Sequence, residues 1–174
     1  QRNVGVLFDV GHGQGSFDWK VAEAAAQQGF WTDLISTDLH SGNVNGLAKD
    51  LPNVMTKLKA VGMPIPKVIM HNGFLIHPSL FSCVIYHPPC SCVYVDNEAS
   101  TWAPAKAINR EDDLGSLSIG READISLLQV RQHQQKMEDS FGVCKIVEET
   151  IVPKAVWRAG QAFPIKPRDH DPTV

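Results

Sequence analysis

Residues 4–10 form an almost unbroken apolar run, interrupted by Gly5 and Asp9, the pattern of a strand covered on both faces. The run ends in Gly11-His12-Gly13-Gln14-Gly15, where three glycines permit a tight turn and a close approach of backbone to a ligand. Ser16 or Asp18 then caps a helix reaching Gln28, built on Val21, Ala22, Ala24, Ala25 and Ala26, with Gly29 as its stop. A second strand is predicted within residues 31–39, its C-terminal end carrying Ser36-Thr37-Asp38-Leu39-His40. After a polar loop through Gly42, Asn43, Asn45 and Gly46, Pro52 opens a helix containing Val54, Met55, Leu58 and Val61, which Gly62 closes. The spacing fits a right-handed βαβ unit, and repeated units of this kind bring their loops to the C-terminal edge of a parallel sheet.

The pattern changes from Leu114 onward to short strands between turns: Ser116 to Ile119 between Gly115 and Gly120, then 125–130, 144–152 and 155–157 ahead of Ala159-Gly160. Residues 111–166 are therefore expected to be a β-rich unit, and 167–174, polar with two prolines, a frayed tail. Residues 70–97 fit neither pattern. They hold Pro78, Pro88 and Pro89, show no amphipathic period, and interrupt a helical pair that would join smoothly from Ile69 into Glu98. We expect an atypical, disordered Cys- and Pro-rich insertion there, either a true insertion or sequence retained from an unspliced or mispredicted gene segment, with the helix resuming over 98–110. His77, Cys83, His87, Cys90 and Cys92 offer ligands for a structural zinc, but their spacing matches no regular pair of knuckles.

Composition narrows the field. A chain of 174 residues with 43% apolar and 20% charged residues is that of a globular protein with a sizeable core. A net charge of −3 gives no basic field for a nucleic acid or an acidic membrane, and no apolar run is long enough to span a bilayer. The expected address is cytoplasmic, and the first residue being Gln1 points to a start upstream.

The segments Phe8-Asp9-Val10-Gly11-His12-Gly13-Gln14-Gly15-Ser16-Phe17, Ile35-Ser36-Thr37-Asp38-Leu39-His40, Leu51-Pro52-Asn53-Val54-Met55 and Thr101-Trp102-Ala103-Pro104-Ala105-Lys106-Ala107-Ile108 together resemble the amidohydrolase superfamily, in its deacetylase or dihydroorotase-like branch. Residues 114–125 resemble that superfamily's entry into its terminal β-sandwich. The resemblance implies an α/β fold: residues 1–69 as about the seventh and eighth strand-helix units of a metal-dependent (β/α)8 TIM barrel, followed by a small β-sandwich portion. It implies hydrolysis of an amide, cyclic amide or related ester of a small molecule, with one or two divalent ions, usually zinc, in the full-length protein. It places Asp38 as catalytic residue and metal ligand; the remaining ligands, and the N-terminal barrel segment that carries them, would lie upstream. The isolated chain is then expected to be inactive and to bind no metal, and the full-length form has room for a homo-oligomer.

The residues support that chemistry locally. A carboxylate at a strand end can touch a metal and accept the proton of the water that the metal polarises; alternatively Asp38 merely caps the next turn. His12, between glycines, is expected to face the cleft and contact substrate or a supporting group, the alternative being a loop histidine hydrogen-bonded to backbone; His40, two residues beyond Asp38, points to the same side and contacts substrate if the strand continues, and is otherwise a loop histidine at the rim. Two rival readings stand beside this one. The chain could be a noncatalytic interaction module derived from an amidohydrolase. Gly11, Gly13 and Gly15 could also belong to a dinucleotide-binding domain, although the spacing departs from the usual fingerprint.

Overall fold

The computed structural model describes residues 4–65, 68, 83–86, 102–115 and 119–165, with backbone alone at 83–86 and 102–103. The first unit is β1 (Asp9–Gly11), α1 (Trp19–Gln27), β2 (Leu34–Ser36) and α2 (Leu51–Ala60). Strands β1 and β2 pair in parallel, Asp9 opposite Leu34, Val10 opposite Ile35 and Gly11 opposite Ser36. Asp18 caps α1 by accepting from the Lys20 and Val21 amides. Asp50 caps α2 by accepting from the Asn53 amide at 2.8 Å, with Pro52 in the first turn where its missing N–H costs nothing. Both helices end in left-handed glycines, Gly29 and Gly62.

The apolar run before β1 departs from the expectation of a strand covered on both faces. Only Asp9–Gly11 is a strand, and Val4, Val6 and Leu7 are 78%, 45% and 55% exposed. Among the described residues β1 pairs only with β2, so the run has no second neighbour to bury it.

Four more strands, β3 (Cys83–Tyr86), β4 (Ile125–Glu138), β5 (Cys144–Arg158) and β6 (Gln161–Phe163), form one sheet in that order, with a short helix α3 (Trp102–Ala107) between β3 and β4. Cys83–Tyr86, inside the segment expected to be a disordered insertion, pairs in parallel with β4, so these four residues are ordered into the sheet. The side chains of the expected zinc cluster, the expected strand from Ser116 and the tail from 167 lie outside the described residues.

The expected break between 144–152 and 155–157 is absent, because β5 runs through Pro153 on a bulge. Leu127 pairs with Ala155 and Leu128 with Pro153, leaving Lys154 as the extra residue. A bulge is where a strand tolerates a residue without an N–H.

Among the described residues this unit is a single sheet, not two facing sheets. The layer opposite it is α2, whose Val54, Met55 and Leu58 join Ile35, Phe17 and Trp19 on one side and Leu128, Val130, Met137, Val147 and Ile151 on the other. Thr56 fastens the contact: its hydroxyl donates to Pro52 O at 2.7 Å and accepts the Ile151 amide at 2.9 Å. The β4–β5 turn docks on the start of α1, with the Ser140 amide donating to Phe17 O and the Trp19 indole to Val143 O. One core therefore joins both units.

Candidate functional site

In a parallel pair, residues opposite one another project to the same face. Val10 and Ile35 enter the core with the helices, which leaves Asp9, Gly11, Leu34 and Ser36 on the other face. There the Ser36 hydroxyl donates to Asp9 Oδ2 at 2.6 Å. A Cβ added to Gly11 would meet Ser36 Oγ at 3.2 Å, Asp38 Cβ at 3.5 Å and Asp9 Oδ2 at 4.0 Å, so the three polar residues surround the glycine. Asp9, the first residue of β1, thus reaches with its side chain to Ser36 at the C-terminal end of β2, close to Asp38 beyond it. Partial burial of the Asp9 carboxyl pushes its pKa up, with the Ser36 and Val10 hydrogen bonds opposing this and the neighbouring Asp38 charge adding to it.

Asp38 is exposed and holds a left-handed backbone, φ +49°, a conformation that Asp adopts more readily than most residues. Asn43, fully buried, maintains it: its Nδ2 donates to Asp38 O at 2.8 Å while its Oδ1 accepts the His40 amide at 2.8 Å. Gly13 makes room for the carboxylate, since a Cβ there would stand 2.6 Å from Asp38 Oδ2. The Gly13 amide in turn donates to Thr37 O at 3.1 Å. The close approach that these glycines permit is thus to the chain's own Asp38.

His12 departs from its expected place in the cleft. It is fully buried on the helix-covered side, stacked on Phe17 with ring centroids 5.1 Å apart. His40 is exposed, but β2 ends at Ser36 and the left-handed Asp38 breaks the alternation that would have aligned the two side chains. Its Nδ1 accepts the Gly42 amide at 3.1 Å. The structure therefore gathers Asp38 with Asp9 and Ser36, and sets His12 apart.

Lys57 was not singled out by its sequence context. It is 1% exposed, and its Nζ lies 2.6 Å from His12 Nε2, 3.1 Å from Leu47 O and 2.5 Å from Glu138 O. Burial lowers its pKa to about 8, with Asp139 opposing and Lys49 assisting the shift. Burial and the Lys57 charge likewise push His12 below the usual imidazole range. Asp139 is equally buried. Burial pushes its carboxyl up, but the Val143, Phe141 and Trp19 amides outweigh this and keep it below the usual range.

Asp38 offers a divalent ion one oxygen ligand. Among the described residues no group of three or more His, Cys, Asp or Glu side chains is placed to hold a metal, so the described residues do not fit a complete centre. No described helix is long and apolar enough to cross a membrane.

No protein-family model matches the chain. A deacetylase of Enterococcus faecalis is 31% identical over 92% of the chain and 36% of its own length. A deacetylase of Brucella anthropi is 33% identical over 79% of the chain and 27% of its own length. The crystal structure of an adenine deaminase superposes with a TM-score of 0.72 at 30% identity, covering 93% of the chain and 36% of that structure. That of a dihydroorotase gives 0.70 at 29% identity, covering 92% and 35%. The chain thus spans about a third of the length of the relatives it matches. Similarity to deacetylases in sequence and to a deaminase and a dihydroorotase in structure, each extending over most of the chain, leads to one conclusion: this chain belongs to the amidohydrolase superfamily.

Proposed function

We propose that this chain contributes the Asp38 corner of a site that hydrolyses a carbon–nitrogen bond, an amide or cyclic amide, or a related ester, in a small molecule. In this reading β1-α1 and β2-α2 are the seventh and eighth units of a (β/α)8 barrel, and Asp38 is one ligand of a divalent ion, zinc being the best candidate. The other ligands come from outside the described residues. Once held by the full ligand set, a divalent ion would lower the pKa of its bound water toward neutrality. Asp38 would then be placed to accept the proton of the attacking water and return it to the departing nitrogen or, for an ester, oxygen. The chain by itself has little turnover.

The observation that supports this reading best is the position of Asp38, exposed at the ends of two parallel strands and clear of Gly13 only because that residue has no Cβ. The test is hydrolysis of N-acetylated amines and cyclic amides by the complete protein and by its Asp38→Asn variant, with zinc content measured in both. The expected result is a loss of kcat of about a hundredfold or more with the fold retained. Equal turnover would remove Asp38 from the chemistry.

A further inference from the structure

The helix-covered side of the site holds a chain of hydrogen bonds whose donor directions are determined. An ammonium has three N–H donors, and Lys57 Nζ has three acceptors within reach: Leu47 O, Glu138 O and His12 Nε2. On the far side of the imidazole, His12 Nδ1 lies 3.0 Å from Gly13 O. A carbonyl can only accept, so Nδ1 carries the ring proton and Nε2 is the lone pair facing Lys57. Had Nε2 been protonated instead, Nδ1 and the Gly13 carbonyl would face each other as two acceptors. The chain therefore runs from Lys57 to His12 to Gly13 O. The Gly13 N–H, in the preceding peptide, donates to Thr37 O, the carbonyl of the peptide that leads into Asp38, so the peptides on both sides of the Gly13 Cα are held. Gly13 is also the residue against which the Asp38 carboxylate rests.

We propose that Lys57 and His12 are positioning residues for Asp38: a buried cation fixes the tautomer of a neutral histidine, which anchors the glycine turn that sets where the carboxylate sits. This assignment rests on the proposed hydrolytic role of Asp38, but the hydrogen-bond chain has a test of its own. The shell supports it. Phe17 stacks on the imidazole and lies 5.5 Å from Lys57 Nζ, and Lys57 reaches across from α2 to the end of β4, so neither ring nor cation has an open side on which to turn. Glu138, Asp139 and Lys49 are the other charged groups near Lys57. Misplacement of a reacting group by about 1 Å from such a supporting shell can cost on the order of a hundredfold in rate.

The experiment begins with nitrogen-detected NMR of the histidines in the 174-residue chain. The expected signature is a neutral His12 with its proton on Nδ1 from about pH 6 to about pH 8. A ring protonated on Nε2, or an ordinary imidazole titration in that range, overturns the proposal. Two variants then separate positioning from bulk stability. His12→Gln keeps an acceptor for Lys57 and a donor for Gly13 O, whereas Lys57→Met keeps the stem and removes the donors. Lys57→Met should shift the Gly13 and Asp38 amide signals and, in the complete protein, lower kcat by about tenfold with KM nearly unchanged, while His12→Gln should retain most of the wild-type signals and rate. Unmoved amide signals in Lys57→Met overturn the relay whatever the activity. An intact relay in a complete protein without hydrolysis overturns the proposed function and leaves the hydrogen-bond chain standing.

Discussion

The two faces of the β1–β2 pair are built from alternate residues of the same short segments, yet they are under opposite physical demands. On the covered face Val10 and Ile35 lie against α1 and α2, and even the polar groups there, His12, Thr37 and Lys57, are shut away from water. On the other face the exposed Asp9 and Asp38 gather with the buried Ser36 around Gly11. The difference shows where each kind of constraint sits. Stability resides in the covered face, where each position must match its neighbours, and the chemistry proposed above resides in the open face, where a carboxylate is held by backbone geometry and by space left vacant. The two meet at Gly13, which receives His12 from one side and Asp38 from the other.

The largest contrast comes from neighbouring residues of one segment. Ile35→Ala removes a fully buried side chain from the core and should cost about 3 kcal/mol of stability, read as a shift in the denaturant midpoint. Asp38→Asn should change stability by less than about 0.5 kcal/mol, because the residue is exposed and Asn accepts the same left-handed backbone. Its effect should fall on turnover of the complete protein instead. A strongly destabilised Asp38→Asn chain would collapse the distinction between the faces.

Gly13→Ala probes their junction. The residue has φ +50°, and the added methyl would meet Asp38 Oδ2 at 2.6 Å, so both backbone strain and a side-chain clash oppose it. About 1–2 kcal/mol of destabilisation is expected, together with a displaced Asp38 signal in NMR. Gly15→Ala is the control from the same turn: nothing lies within 4 Å of its Cβ position, and the change should leave Asp38 unmoved.

Much of this arrangement was legible in the sequence. Asp18, Pro52, Gly29 and Gly62 punctuate the helices where the pattern placed them, because capping is local chemistry, and Asp50 adds an N-cap that the pattern did not single out. The apolar run at 4–10 was less informative, since hydropathy records what a segment could bury and not which neighbours it finds. The placement of His12 in the cleft followed from its flanking glycines, whereas counting by twos from Val10 would have set it on the core side, opposite Asp9. His40 was paired with Asp38 by the same alternation, which the left-handed Asp38 interrupts. Lys57 offered no signal: between Thr56 and Leu58 it reads as a solvated helix position, and only acceptors 10, 45 and 81 residues away in the chain make its burial tolerable. The Asp9–Ser36 pair, 27 residues apart, depends on strand register in the same way.

The covered face is also an electrostatic unit, and pH tests it as one. A free-chain lysine titrates near 10.5 and Lys57 in the fold at about 8, so between these values the unfolded chain holds a proton that the folded chain has released. Stability rises with pH wherever the unfolded state binds more protons, so the contribution of Lys57 becomes more favourable as pH climbs through that window. A shift of this size corresponds to a gain of up to about 3 kcal/mol across the window. His12 acts in the same direction at lower pH. Its folded pKa is depressed, so below the ordinary imidazole value the unfolded chain takes up a proton that the buried ring refuses, and stability is lost as the solution becomes more acidic. Denaturant midpoints of the wild type measured against Lys57→Met from about pH 8 to about pH 10.5, and against His12→Gln below about pH 6.5, isolate the two contributions from the other titrating groups. Parallel curves across both windows would mean that water reaches this pair, and the covered face would then be no drier than the open one.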